Sequence, residues 1–267
     1  MLKIGIVGCG AIGTILAKSI DKNPKAQIVA LNDIDETKPE NLKNTLLAST
    51  PKITTVDQLT DTSDLIIECA HKSAVKKIAT TALNKKKDIL IMSVSALIEN
   101  PQLFELAKKN NTKIHIPSGA ISGIDALKAG LQDNIKSVTL TTTKPKESLM
   151  DAHYIKENKI NIEKIKKKTT IFEGNVIEAT KGFPENINIS ATLALAGIGP
   201  KKTKVKIIAD PESKLNIHEL KITGDFGEIT TTTKNTPCPG NPKTSYLAPL
   251  SAIAKIKDII ENTNIGT

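Results

Sequence analysis

The sequence predicts an α/β fold: a doubly wound parallel sheet, then a second α+β domain with an open mixed sheet. Three observations predict it. Up to residue 117, short apolar runs alternate with helical patterns, the signature of parallel strands joined by helices. Beyond residue 118 the strands alternate polar and apolar residues, as in a sheet buried on one face. The 267 residues are long for one domain and comfortable for two. The expected organisation is residues 1–118, residues 119–240, and a C-terminal helix in 241–267 that packs back on the first domain.

The elements follow in order. Residues 3–8 read as a strand and 11–21 as a helix, with Ile12, Ile15, Leu16 and Ile20 at helical spacing. Residues 27–32, 64–69 and 88–93 are further strands. Continuous apolar runs such as Leu65-Ile66-Ile67 fit burial on both faces. Helices begin near Ser73 and span 101–110, and residues 113–117 close the series. In the second half, 122–131 reads as a helix, and 137–143 and 204–209 as alternating strands. Residues 216–223 and 228–233 flank Gly224-Asp225-Phe226-Gly227, a hairpin signal. An alanine-rich helix is expected over 187–195 and a last helix over 245–262. One face of the second sheet is expected to stay free of helices, as a place for a substrate.

Composition narrows the function classes. Net charge is +9 and comes entirely from lysine, because the chain has no arginine. Nucleic-acid binding is disfavoured: lysine clusters are short and scattered, aromatic residues are 2% of the chain, and no arginine exists for guanine contacts. Cys9, Cys69 and Cys238 form no CxxC pair, so neither a metal site nor a disulfide framework is expected. No apolar run approaches the roughly 18 residues that would cross a membrane. Residues 1–7 read as a first strand rather than a signal peptide. The expectation is a cytoplasmic protein without membrane or nucleic-acid partners.

Gly8-Cys9-Gly10-Ala11-Ile12-Gly13 follows a predicted strand and opens a predicted helix, which makes the GxGxxG spacing a specific signal for a Rossmann-type dinucleotide site. The first glycine allows the turn, the second lets the backbone approach a pyrophosphate, and the third lets helix and strand pack closely. The helix N-terminus at Ala11 and Ile12 offers free N–H groups to the phosphates. Asp33, 20 positions past Gly13, sits where an acid receives ribose hydroxyls, which favours NAD over NADP. Asp35 competes for that role, and Lys38 is near enough to soften the exclusion of a 2′-phosphate. Later strand ends, including Ala70, should line the cofactor.

His218 stands out among four histidines. Asn216, His218, Leu220 and Ile222 share one strand face, a polar pair at the end of an apolar stripe. A pocket wall carrying an acid/base fits this pattern, and so does a packed histidine satisfied by a neighbour. Asn188 reads as a cofactor amide contact or as an ordinary helix N-terminal asparagine.

The blocks Ile114-His115-Ile116-Pro117-Ser118-Gly119-Ala120-Ile121-Ser122-Gly123, residues 183–197 (Phe-Pro-Glu-Asn-Ile-Asn-Ile-Ser-Ala-Thr-Leu-Ala-Leu-Ala-Gly), Asn216-Ile217-His218-Glu219-Leu220 and Gly240-Asn241-Pro242-Lys243-Thr244-Ser245, with the glycine loop, resemble L-aspartate dehydrogenases. The resemblance runs in order across nearly the whole chain. It implies NAD(P)-dependent oxidation of L-aspartate to iminoaspartate, supply of NAD biosynthesis, and a homodimer. It implies that His218 is the active-site histidine and that Ala120 and Asn188 contact the cofactor. An aspartate substrate carries two carboxylates, and without arginine the candidate donors for them are Ser118, Thr192, N–H groups near Gly119, and lysines such as Lys144 and Lys243. One departure is Thr143, where the family carries arginine in a Thr-Thr-Arg-Lys-Pro stretch. Alternatives are a homoserine dehydrogenase-like enzyme, a dihydrodipicolinate reductase, whose usual His-His pair is absent, and a non-catalytic NAD(H)-sensing regulator.

Overall fold

Parallel strands need helical crossovers, and the first part of the chain supplies them. The computed structural model describes residues 1–183, 187–261 and 266, without the side chains of Pro242 and Lys243. Backbone contacts divide the chain into two units, Met1–Pro117 with Pro249–Asn264 and Ser118–Ala248 with Ile265–Thr267.

The first unit holds β1 (Leu2–Val7), α1 (Ala11–Ile20), β2 (Ala26–Asn32), α2 (Thr37–Lys43), β3 (Lys52–Ile53), α3 (Val56–Thr62), β4 (Leu65–Glu68), α4 (Lys72–Asn84), β5 (Asp88–Ile91), α5 (Ser95–Glu99), α6 (Gln102–Asn110) and β6 (Ile114–His115). The sheet is parallel throughout, in the order β3-β2-β1-β4-β5-β6. Strand order reverses between β1 and β4, so the loops that follow them diverge and open a crevice. Ile4, Ile6, Leu65, Ile67 and Leu90 face Leu16 and Ile20 of α1 and Ala252 and Ile256 of the C-terminal helix (Leu247–Ile260). The helix starts two residues later than the sequence suggests, because Ser245 ends a strand, and residue 262 lies outside the described residues.

In this unit four short elements escape the sequence reading: α2, β3, α3 and α5. Strand β3 is two exposed residues and α5 five residues long, too short for periodicity. Helix α3 did carry a readable signal. Thr55 and Gln58 form a reciprocal capping box at its start.

The second unit holds α7 (Ile124–Gly130), β7 (Ile135–Pro145), α8 (His153–Glu157), β8 (Thr169–Asn175), α9 (Val176–Gly182), α10 (Asn188–Ala196), β9 (Lys204–Asp210), β10 (Asn216–Gly224), β11 (Gly227–Asn235), β12 (Pro237–Cys238) and β13 (Asn241–Ser245). Its sheet runs β11-β10-β7-β9-β8, with only β7 and β9 parallel. It is therefore mixed and open, as expected. Here α8, β8, α9, β12 and β13 escape the sequence reading too. The β10–β11 hairpin turns at Asp225-Phe226, with Gly224 opposite Gly227. Period-two alternation sends Val138 and Leu140 of β7 and Leu220 and Ile222 of β10 to one face. There they pack with Leu127 of α7 and Leu193 of α10. Among the described residues no helix is long and apolar enough to cross a membrane.

Glu68 ties the first sheet together at its carboxyl edge. It ends β4 and is fully buried. One carboxylate oxygen accepts the N–H of Ala70 at 2.8 Å, the other that of Ser93 at 3.0 Å. The loops after β4 and β5 are thus held by one side chain. Burial pushes this carboxyl up to about 7 from 4.5, although the backbone donors around it favour the ionised form. A raised folded-state value means stability is complete below pH 4.5 and is lost as pH rises through 7. The stability of the wild type relative to Glu68→Gln should therefore fall by roughly 3 kcal/mol between pH 4.5 and pH 8 in urea unfolding. A difference that stays flat across that range would contradict this account of Glu68.

Candidate active site

The glycine loop meets the requirements of a phosphate cradle. Gly8 has φ +100, and a side chain there would run into the backbone of Cys69 and Ala70. A Cβ on Gly13 would overlap the carbonyl oxygen of Gly8. Both glycines are demanded by contacts inside the protein. Gly10 is different, since a Cβ there would meet nothing within 4 Å. Its backbone faces open space, as approach by an external group requires. Helix α1 starts directly after it without a side-chain cap, so the first-turn N–H groups at Ala11, Ile12 and Gly13 point outward. The residues present fit a dinucleotide pyrophosphate.

The two competing aspartates separate in the structure. Asp33 reaches back to the loop, where one oxygen accepts the Cys9 N–H at 2.6 Å and the other the Asp35 N–H at 3.0 Å. Asp35 instead serves the start of α2. It accepts from the Thr37 N–H at 3.1 Å and the Thr37 hydroxyl at 2.7 Å, and pairs with Lys38 at 3.6 Å. Lys38 is drawn to Asp35. Ala70 is held between Glu68 and the Ser93 hydroxyl, which donates to its carbonyl at 2.8 Å.

In the second unit, the polar candidates continue the apolar stripe of β7 and β10. His218 lies opposite Thr142 in register, and its Nδ1 is 3.0 Å from the Thr142 hydroxyl. Both residues are buried, as are Asn216 and Lys144 on the same two faces. His218 Nε2 is shut off from water and has no hydrogen-bond partner among the described residues. Burial, and then the Lys144 charge, push the imidazole down to about 3, so it is neutral at physiological pH. Burial also lowers the Lys144 ammonium to about 8.

The loop after Ser118 is fastened across β11. Thr233 donates to the Ala120 carbonyl at 2.9 Å and Asn235 to the same oxygen at 3.1 Å, while Thr231 donates to that of Ser122 at 3.1 Å. Ala120 is fully buried, and Ser118 and Gly119 are half-buried. A Cβ on Gly119 would lie 3.7 Å from Ile189, which places this loop against the start of α10. Asn188 and Thr192 sit one turn apart on α10, half-buried and buried respectively.

One expectation is corrected. The candidates do not lie on a helix-free face of the second sheet. They lie on the face that α7 and α10 cover, beyond the last apolar residues, because His218 and Asn216 share the parity of Leu220 and Ile222. Thr143 falls on the opposite face from Thr142 and Lys144, so its replacement of an arginine leaves this patch untouched. The remaining histidines have ordinary partners. His71 accepts from the Ser73 N–H at the start of α4, His115 meets Asp88 at 3.4 Å, and His153 meets Glu157 at the surface. Lys243 and residues 184–186 of the resembling blocks lie outside the described side chains. Among the described residues no group of His, Cys, Asp or Glu is arranged to hold a metal. Thr142, Thr233, Asn235 and Glu68 were missed by the sequence reading. The first three depend on strand register. Glu68 had a visible signal, an acid ending a wholly apolar strand.

Comparison with known proteins accords with this layout. The family model "Aspartate dehydrogenase, C-terminal" matches residues 125–259, and "Homoserine dehydrogenase, NAD binding domain" matches residues 8–117. The L-aspartate dehydrogenase of Methanococcoides burtonii is 46% identical over the full length of both chains, and that of Methanosarcina barkeri 44% over the full length of both. The crystal structure of aspartate dehydrogenase from Thermotoga maritima is 26% identical and matches with a TM-score of 0.76 over all of both chains. The homoserine dehydrogenase likeness is confined to the first unit, whereas the second unit and the whole-length relatives point one way. The chain belongs to the L-aspartate dehydrogenase family.

Proposed function

We propose that the protein catalyses the NAD(P)-dependent oxidation of L-aspartate to iminoaspartate, reversible with oxaloacetate and ammonia. The observation that carries this reading is the enclosed, partnerless Nε2 of His218 at the polar end of its strand, in a chain of this family. In the same reading the protein is a cytoplasmic homodimer that supplies NAD biosynthesis.

Gly8, Gly10, Ala11, Ile12 and Gly13 hold the pyrophosphate, Asp33 the adenosine ribose, and Ala70 lines the site. Ala120 and Asn188 serve the nicotinamide side. Because Ala120 is fully buried and its carbonyl is occupied by Thr233 and Asn235, its part is to set the path of the loop that carries Ser118 and Gly119. Bound nicotinamide supplies the two-electron acceptor for the α-hydrogen. Asn216, Ser118 and Thr192 contact the substrate.

The chain's own chemistry is proton transfer. The α-ammonium of aspartate must lose a proton before its nitrogen can form an imine. A neutral imidazole with a free Nε2 lone pair can take that proton. For Nε2 to be the acceptor, Nδ1 must carry the ring proton and donate it to the Thr142 oxygen. Thr142 therefore fixes the useful tautomer and ring angle. Burial and the Lys144 charge make the imidazole a weak base. The two carboxylates of the substrate bring negative charge to this region, which raises its basicity when it is needed.

Three outcomes test the reading. Purified protein with L-aspartate and NAD⁺ or NADP⁺ should produce reduced cofactor, and His218→Ala should lower kcat/KM by about 100-fold or more while NADH binding is retained. No turnover of L-aspartate by the wild type, or full turnover by the variant, would refute it. Thr142→Val should lower kcat by about tenfold with NADH affinity kept; an unchanged kcat would remove Thr142 from ring positioning. Asp33→Ser should weaken NADH binding by about tenfold and narrow the gap to NADPH, read by fluorescence titration. An unaltered ratio of the two affinities would dismiss Asp33 as the ribose acid.

A further inference from the structure

Aspartate brings two carboxylates into a site shielded from water, and a shielded carboxylate needs a cation or several donors. The chain contains no arginine, so any side-chain cation that stays charged at neutral pH is a lysine. Lysine is rarely buried. Among the described residues, Lys144 is the only buried one, at 4% exposure.

Its place in the fold is specific. Thr142 and Lys144 are two positions apart on β7 and so share a face. Thr142 is the hydrogen-bond partner of His218. The β7–β10 pairing runs through His218 with Thr142 and Ile217 with Thr143. One step further sets Lys144 beside Asn216, which is also buried. The ammonium, the Asn216 amide and the enclosed His218 Nε2 therefore belong to one polar patch, where the apolar stripe of Leu140 and Leu220 gives out. The charge of Lys144 is felt at the His218 ring, as its proximity requires.

We propose that Lys144 binds a carboxylate of the substrate beside the His218 ring, in the role that an arginine would fill elsewhere. This rests on the reading of the site as one for an amino dicarboxylate. A carboxylate seated on Lys144 anchors the α-carbon within reach of Nε2. It also offsets the ammonium field that keeps the imidazole weakly basic. Lys144 thus orients the substrate beside the base.

The experiment uses the full chain, its Lys144→Met and Lys144→Arg variants, and succinate, a dicarboxylate without the amine. Calorimetric titration of succinate into NADH-loaded protein is read beside the KM for L-aspartate and the affinity for NADH. Lys144→Met should raise the aspartate KM on the order of 100-fold and lose succinate binding, with NADH binding intact. Lys144→Arg should recover part of both. Wild-type KM and succinate affinity in Lys144→Met would overturn the proposal, since a carboxylate anchor cannot be removed without cost to either. If Lys144→Met fails to bind NADH, the arginine variant decides: retained succinate binding supports a carboxylate site, and succinate binding lost while NADH binding stays intact overturns it. A wild type that binds succinate but turns over no L-aspartate sinks the aspartate reading alone, because the succinate arm still tests Lys144.

Discussion

A ring nitrogen of His218 that is kept from water and has no hydrogen-bond partner among the described residues is the constraint that the second unit has to accommodate. Leaving such a group unsatisfied costs about 1–3 kcal/mol. The cost is tolerated because everything else about the ring is fixed. Thr142 holds its other nitrogen, and the apolar stripe of β7 and β10 packs against the helices on the same face. The strand alternation that buries Leu220 and Ile222 gives His218 no choice of side. One property of extended backbone therefore builds the core and aims the histidine.

The first unit shows a comparable economy. Its carboxyl edge is shaped by close approaches of backbone to backbone, with Gly8 against Cys69 and Gly13 against Gly8. Glu68 adds a side-chain clasp between two successive loops. These contacts are short and internal, and they leave Gly10 and the first turn of α1 facing outward. The parts that must receive a ligand are rigid because the parts beneath them have nowhere to go.

Much of this was legible in the residues. Long periodic segments such as α1, α4 and β10 were readable because periodicity over two turns or four alternations leaves little ambiguity. The glycine loop was readable because its spacing coincides with a strand-to-helix change. The placement of the polar patch was not. The alternating strands suggested an open face for the substrate, but parity with Leu220 puts His218 on the covered one. Parity was present in the sequence, and which face the helices take was not. Thr142 could be joined to His218 only once β7 was known to pair with β10 in that register. The two aspartates near the cofactor loop illustrate the same limit. Spacing favours Asp33 and leaves Asp35 as a competitor, and only the start of α2 shows that Asp35 is engaged elsewhere.

Asp33 also carries a consequence for the history of such chains. Its carboxylate is bonded to the glycine loop through the Cys9 N–H and to its own turn through the Asp35 N–H. If Asp33 is the ribose acid, choice of cofactor and anchoring of the loop are written in one side chain. A lineage that exchanged this acid to admit a second phosphate would loosen the cradle in the same step. Drift from one nicotinamide cofactor to the other then has to pass through a weakened intermediate, unless a new acceptor for the Cys9 amide appears first. Residue 33 is thereby tied to the loop by bonds that are independent of any ligand.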